Sequence, residues 1–373
     1  MIAHVSPLAF GLCLAAVGMG NAPRIAAQSA DSLGGIALDS AGSPVYGALI
    51  VAYGTQGQVV ARAVSGRRGV FMMPMPSADS ARLVVHRVGY QVPRAVMAPP
   101  GARPATFSLS APGKRLSFSG DKATQRGVCG TPRDATSDVT VLWNAARIVL
   151  ESSQLRFGRE DVVRKVSQFD RVLATDGKVI SSSTPRERDV ISGPPYISLS
   201  PDSIDAVGYV VENRDDASYY APDANIMLSP SFTERSCFGV VAPTSERPDL
   251  VGLSFKPLAN RDRLKDIGGI FWFSRETLEL QKMEYRYTNV PTAFAAARVG
   301  GELTFTLLPV GAWIISRWEI RMPQGEIQTQ IALQHSITRE RRQVTVEFLR
   351  AAIGEVRSVR IGADAFTIPS PRP

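Results

Sequence analysis

The feature that most constrains this chain is a strict two-residue alternation in its C-terminal third. Lys282, Glu284 and Arg286 occupy every second position of one segment, and Arg317, Glu319 and Arg321 do the same in another. Met283, Tyr285 and Tyr287, and then Trp318 and Ile320, fill the positions between, while Leu303, Phe305 and Leu307 alternate with Thr304 and Thr306. A period of two is the repeat of a strand with one apolar and one polar face. Cross-strand charge pairs on such a face are worth roughly 0.2–1 kcal/mol each, so the polar side reads as solvent cover. The apolar side needs a lid.

The strongest helical signal is the natural lid. Leu142, Ala145, Ala146 and Val149 fall at i, i+3, i+4 and i+7 behind the candidate N-cap Ser137, which predicts an amphipathic helix over 138–153 with Trp143 beside its buried face. Val162 to Leu173 and Lys178 to Ser183 flank Thr175-Asp176-Gly177, a hairpin signal. Further strands are expected over 203–211, 252–256, 268–273, 278–288, 301–308, 312–322, 327–338, 344–350 and 356–361, and a long antiparallel meander is the simplest topology.

From Leu33 to Ala111 short apolar segments are punctuated by glycine without any helical period. Strands are expected at Gly35–Asp39, Gly47–Tyr53, Val59–Ser65, Val70–Met73, Arg82–His86 and Tyr90–Val96, at the spacing of a sandwich. The fold class is therefore mainly β: a β-sandwich over 33–111, then 112–373 as a curved antiparallel sheet with one packing helix.

Gly35 to Asp39, Gly42, Pro44-Val45, Gly47-Ala48, Gly69-Val70-Phe71, Leu83-Val84-Val85 and Gly89-Tyr90 together resemble the carboxypeptidase regulatory-like domain, a prealbumin-like sandwich. The resemblance implies an accessory domain without catalytic residues. Arg67-Arg68 stand where that family usually has an acid. Zinc carboxypeptidase activity is excluded, because His86 and His335 are the only histidines after the N-terminal segment and neither has a glutamate three residues on. Ile267 to Ser274 followed by Thr277 to Leu280 resembles the strand-turn-strand segment of periplasmic lipoprotein-carrier half-barrels, without their aspartate at the Ser274 position. That second resemblance implies an apolar ligand, with Trp272, Phe305 and Trp318 as the candidate ligand face.

Leu8 to Met19 is an apolar stretch of signal-peptide length, and Ala27 is a plausible last residue before cleavage, so residues 1–27 read as a secretory signal and the protein as periplasmic or extracellular. No later apolar run approaches the roughly 20 residues that span a bilayer. Removing 1–27 takes the net charge from +8 to +7. The excess is spread along the chain, without the concentrated stripe of a nucleic-acid groove.

Cys129 and Cys237 remain after the signal. An isolated pair in an oxidising compartment is more often a disulfide than a metal site, the alternative being two buried thiols. Tyr219, Tyr220 and Asp223 form the densest aromatic and acidic cluster outside the strands, readable as a binding loop or as a pinned loop with Asp223 capping the next turn. Asp215-Asp216 reads as a solvated turn and His335 as a hydrogen-bonded rim or core histidine. No nucleophile elbow, phosphate loop or calcium loop is present. No cofactor and no metal is expected. The expectation is a non-enzymatic exported envelope protein acting through an unidentified protein or surface partner; the alternatives are a carrier or sensor of an apolar, lipid-like ligand and a hydrolase with an unrecognised carboxylate pair.

Overall fold

The computed structural model describes residues 32–74, 80–99, 104–110, 128–134, 137–154, 162–191, 193–212, 217–261, 263–325, 327–334 and 337–369, with only the backbone course given for 327–344. The signal segment 1–27, His335 and Asp215-Asp216 lie outside the described residues.

The N-terminal strands are β1 (Ser32–Asp39), β2 (Leu49–Tyr53), β3 (Val59–Val64), β4 (Val70–Pro74), β5 (Ala81–His86), β6 (Val96–Ala98) and β7 (Ala105–Leu109). They form two sheets, β4-β1-β7 and β3-β2-β5-β6, with β1 and β7 parallel. Between them lies a core that includes Ala37, Ile50, Phe71, Leu83, Val85, Phe107 and Leu109. The expected strand at 90–96 is instead a turn and irregular chain that enters β6 only at Val96.

After the short β8 (Val128–Cys129) comes α1 (Asp138–Ser153), over the span that periodicity predicts. The Ser137 side chain caps it by accepting from the Thr140 N–H at 3.1 Å. Next are β9 (Val162–Leu173), β10 (Val179–Ser182), β11 (Arg186–Ile191), α2 (Pro201–Val207), β12 (Val210–Glu212) and β13 (Ala217–Tyr219). The strand expected over 203–211 is mostly α2. Ser200 accepts from the Ser203 N–H as N-cap and Pro201 occupies the first turn, a local start signal that outweighs the apolar run behind it.

The chain continues through α3 (Ala224–Leu228), α4 (Pro230–Glu234), β14 (Ser236–Val241), β15 (Leu250–Pro257), β16 (Ile267–Ser274), β17 (Leu280–Tyr287), α5 (Thr292–Ala296), β18 (Gly300–Leu307) and β19 (Trp313–Gln324). Last are β20 (Ile327–Gln334), β21 (Ile337–Val344), β22 (Phe348–Ile361) and β23 (Asp364–Thr367). The single strand expected over 327–338 is thus split between the hairpin β20–β21, and the two expected over 344–350 and 356–361 merge into β22.

One large antiparallel sheet runs β10-β9-β22-β19-β18-β17-β16-β15-β14-β8, with β11 on β9 and β23 on β22. The meander is real from β14 to β19. It then takes in β22 and ends on β9, which precedes it in the chain. Cys129 pairs with Cys237 in the β8–β14 register, and the two are joined as a disulfide.

The helix α1 is buried on nearly every side: Val139, Leu142, Trp143, Ala146, Ile148 and Leu150 are all buried. Only a narrow polar edge, with Asn144, Arg147 and Glu151, is left outside, so the helix packs against both the large sheet and the sandwich. Trp143 meets Phe238 and Phe271 of the large sheet, with ring centroids 5.3 and 6.3 Å away. Leu49 and Val51 of the sandwich belong to the same core as α1, while their neighbours Ile50 and Ala52 face the sandwich interior. That explains why β2 reads Leu-Ile-Val-Ala, a strand apolar on both faces. Tyr46 of the sandwich closes the joint: its hydroxyl donates to the Leu308 carbonyl and accepts from the Gly311 N–H. Arg87 adds an ion pair to Glu279 at 3.0 Å.

Candidate functional site: a charged groove on the large sheet

The apolar face of the large sheet is filled by the protein's own side chains. Phe271, Phe273, Met283 and Leu303 are fully buried there. Phe305 and Trp318 are 5% exposed, and Tyr196 stacks on Trp318 with centroids 5.0 Å apart. The register separates Trp272 from the other two members of the expected ligand face. Trp272 pairs with Lys282 on the charged side, its indole N–H donates to Glu284 at 2.8 Å, and Arg247 lies over its ring at 4.6 Å. The two phenylalanines that flank it, Phe271 and Phe273, take the apolar side.

The candidate binding loop is built as a support. Asp223 is buried and accepts from the Ile226 N–H at 3.0 Å, capping α3, and from the Ser198 N–H at 3.2 Å. Tyr219 packs edge-on against Tyr287, whose hydroxyl donates to the Tyr220 carbonyl at 3.0 Å. These groups pin the segment over the apolar face.

The face expected to be solvent cover carries the dense chemistry. Registers across β16, β17, β18, β19 and β22 align three rows perpendicular to the strands. One holds Trp272, Lys282, Thr304, Arg317 and Glu355. The next holds Ile270, Glu284, Glu302, Glu319 and Ile353. The third holds Gly268, Arg286, Gly300, Arg321 and Ala351, and β9 extends it with Arg171.

Carboxylates directly opposite one another repel. Here Glu302 faces both Glu284 and Glu319. Arg317 answers this from the adjacent row, donating to Glu302 at 2.5 Å, Glu319 at 2.6 Å and Glu355 at 3.3 Å. Arg317, Glu319 and Glu355 are each 8% exposed, which solvent cover would not be. Burial lowers the Arg317 pKa, but Glu319, Glu302 and Glu355 outweigh it and hold the guanidinium above its ordinary value. Glu284 receives two hydrogen bonds from Arg247, both at 3.0 Å, and one from Lys282 at 2.7 Å. Burial pushes its pKa up, and the bonds from Arg247, Lys282 and Trp272 overcome that and bring it down to about 2.

Over this face lies a groove of about 640 Å³, whose described lining includes Arg171, Arg247, Ile270, Glu284, Arg286, Glu302, Glu319 and Arg321. The alternation of Lys282 to Arg286 and Arg317 to Arg321 already places these charges on one side. Their function as a lining depends on register, for which the Gly300-Gly301 break in the alternation is the sole local sign.

Fold and site together define a mainly β protein with a sandwich docked through a buried helix on a large curved antiparallel sheet. No family model and no curated protein matches the chain. Among solved structures, a DUF1329 family protein from Desulfovibrio piger aligns at 11% identity and a TM-score of 0.28, over 61% of this chain and 95% of that one. BcpA, the major pilin subunit of Bacillus cereus, aligns at 7% identity and a TM-score of 0.17, over 91% of this chain and 95% of that one. Likenesses at these scores define no shared fold, and no functional statement follows from them.

Proposed function

We propose that this is an exported, non-enzymatic binding module whose ligand surface is the charged groove of the large sheet, with the sandwich as its accessory domain. The single observation that carries the reading is the groove itself: an open space of about 640 Å³ over a face whose carboxylates are ion-paired with buried or half-buried cations. A hydrolytic pair needs two carboxylates whose pKa values are pushed apart, one of them upward. Glu284 is driven the opposite way, to about 2, so it serves as a fixed charge and not as a proton donor. The apolar face offers no counterpart, since Phe271, Met283 and Leu303 fill it. The signal-like segment and the Cys129–Cys237 disulfide support export.

Thermal-shift measurements on the disulfide-bonded protein test the binding reading, using a panel of sugars, sugar acids, amino acids, nucleotides and fatty acids. A rise in Tm with a polar ligand is expected, together with no turnover of chromogenic esters or glycosides. A rise confined to fatty acids, or clear turnover, overturns the reading. Envelope fractionation of the full chain with N-terminal sequencing tests export, the expected mature product beginning at Gln28.

A further inference from the structure

The third row of the groove face has an unusual order. Arg286, Arg321 and Arg171 stand on every second strand, with Gly300 and Ala351 between them. Adjacent strands lie about 4.8 Å apart, so successive arginines in the row are about 10 Å apart with no large side chain between. Arg298 joins them at the turn before β18, and its carbonyl accepts from Arg321 Nε at 3.3 Å. Gly300 is required for this spacing: its φ is +155°, and a Cβ there would come within 2.2 Å of the Tyr285 carbonyl oxygen.

The ion pairing is uneven along the groove. The acidic row is fully served by Arg247, Lys282 and Arg317. Of the arginine row, only Arg321 has an acidic partner among the described residues, Glu319 at 3.1 Å. Arg286 and Arg298 have none there, and Arg171 lies over the Phe169 ring at 5.2 Å. Although Arg286 is exposed by area, partial desolvation lowers its pKa, and Arg321 and Arg298 push it the same way against Glu284. Cations gathered at one end of a groove, with their acids already committed elsewhere, lack counter-charge. Guanidinium forks supply paired donors that match carboxylate, sulfate and phosphate geometry.

We propose that Arg286, Arg298 and Arg321 form an oxyanion site beside Gly300, with Arg171 taking a second acidic group, so that the ligand carries at least two oxyanions along a chain, as an acidic oligosaccharide does. This rests on the binding-module reading of the groove. Free phosphate or sulfate shares the chemistry and occupies one subsite only.

Calorimetric titration of the disulfide-bonded protein with oligogalacturonate, its neutral methyl ester and inorganic phosphate tests the site at low and raised salt. Oligogalacturonate is expected to bind, to weaken with salt, and to lose about tenfold in affinity for each of Arg286→Ala and Arg298→Ala. Both residues are solvent-exposed, so the variants keep the fold, and an unchanged circular dichroism spectrum and Tm verify that. Arg171→Ala should weaken oligogalacturonate while leaving phosphate unchanged. Equal binding of the methyl ester, an Arg286→Ala/Arg298→Ala double variant that binds like the parent, or no oxyanion binding at millimolar concentration overturns the proposal. If a neutral polar ligand then still raises Tm, the binding-module reading stands and the oxyanion site alone falls. Binding of phosphate without oligogalacturonate overturns the chain-like ligand.

Discussion

The two faces of the large sheet are made by the same strands and differ in everything but backbone. On one, Phe271, Met283, Leu303 and Trp318 pack against α1 and the 193–235 segment, and stability comes from burial and shape. On the other, four carboxylates and a set of arginines and lysines are held by ion pairs, with Arg317 bridging three strands. The difference teaches that alternation sets which residues share a face, while curvature and covering decide how far that face is from water. A pattern that looks like surface ends up buried at its centre and open at its edge.

The comparison breaks most readily at two centres. Trp143→Ala removes the aromatic that joins the helix to Phe238 and Phe271 and should cost about 3–5 kcal/mol in denaturant unfolding. Arg317→Ala leaves Glu302 without its cation and Glu319 and Glu355 with only Arg321 and Arg357 beside them, and should cost about 3 kcal/mol, the low end of the loss from breaking a buried ion pair. If the charged face were mere cover, the second loss would fall below about 1 kcal/mol, the range of exposed pairs.

At the sheet's edge, replacing Cys129 and Cys237 by serine opens a link between residues 108 apart in the chain and should cost roughly 2–5 kcal/mol in urea melts.

Acid titration sharpens the contrast between a charged face and a buried one. Glu284 has a folded pKa of about 2 against an ordinary 4.5, so its stabilisation is complete above pH 4.5 and is lost as pH falls toward 2. Glu284→Gln should therefore flatten the stability profile in that window. His86, at the end of β5 and near Arg147, costs stability in a higher pH window. Burial, aided by Arg147, lowers its pKa from 6.5 to about 4, so the unfolded chain takes up a proton first and stability falls as pH drops from 6.5 to 4. His86→Phe should flatten that higher window and leave the lower one.

The smallest expected effect is at the joint between the two units. Tyr46→Phe removes a hydroxyl shared by Leu308 and Gly311 and should cost about 1 kcal/mol, without splitting a single unfolding transition into two. Two resolved transitions would show that Leu49 and Val51 do not bind the sandwich to the α1 core.

Much of the architecture was legible because its signals are local. The helix 138–153 carries its own cap and period, the 175–177 turn its own glycine, and the two cysteines their own chemistry. Asp223 was legible as a cap for the same reason, since its partner lies three residues away. Two expectations fail for different reasons: at 203–211 the Ser200-Pro201 start signal lies just outside the apolar run it governs, and the parity of Trp272 puts it on the opposite side from Phe305 and Trp318 despite its apolar ring.

By itself, then, the sequence determined the mainly β class, the amphipathic helix over 138–153 and which residues of the C-terminal strands share a face. Only the tertiary structure decided that Glu302 stands between Glu284 and Glu319, that Arg317 bonds to carboxylates on its own strand and on both neighbours, and that Arg286, Arg321 and Arg171 fall in one row across Gly300 and Ala351. The physical reason is range. Period, cap and turn act over a few residues, whereas register is set by long-range pairing, and a slip of one residue sends a whole strand's charges to the opposite face.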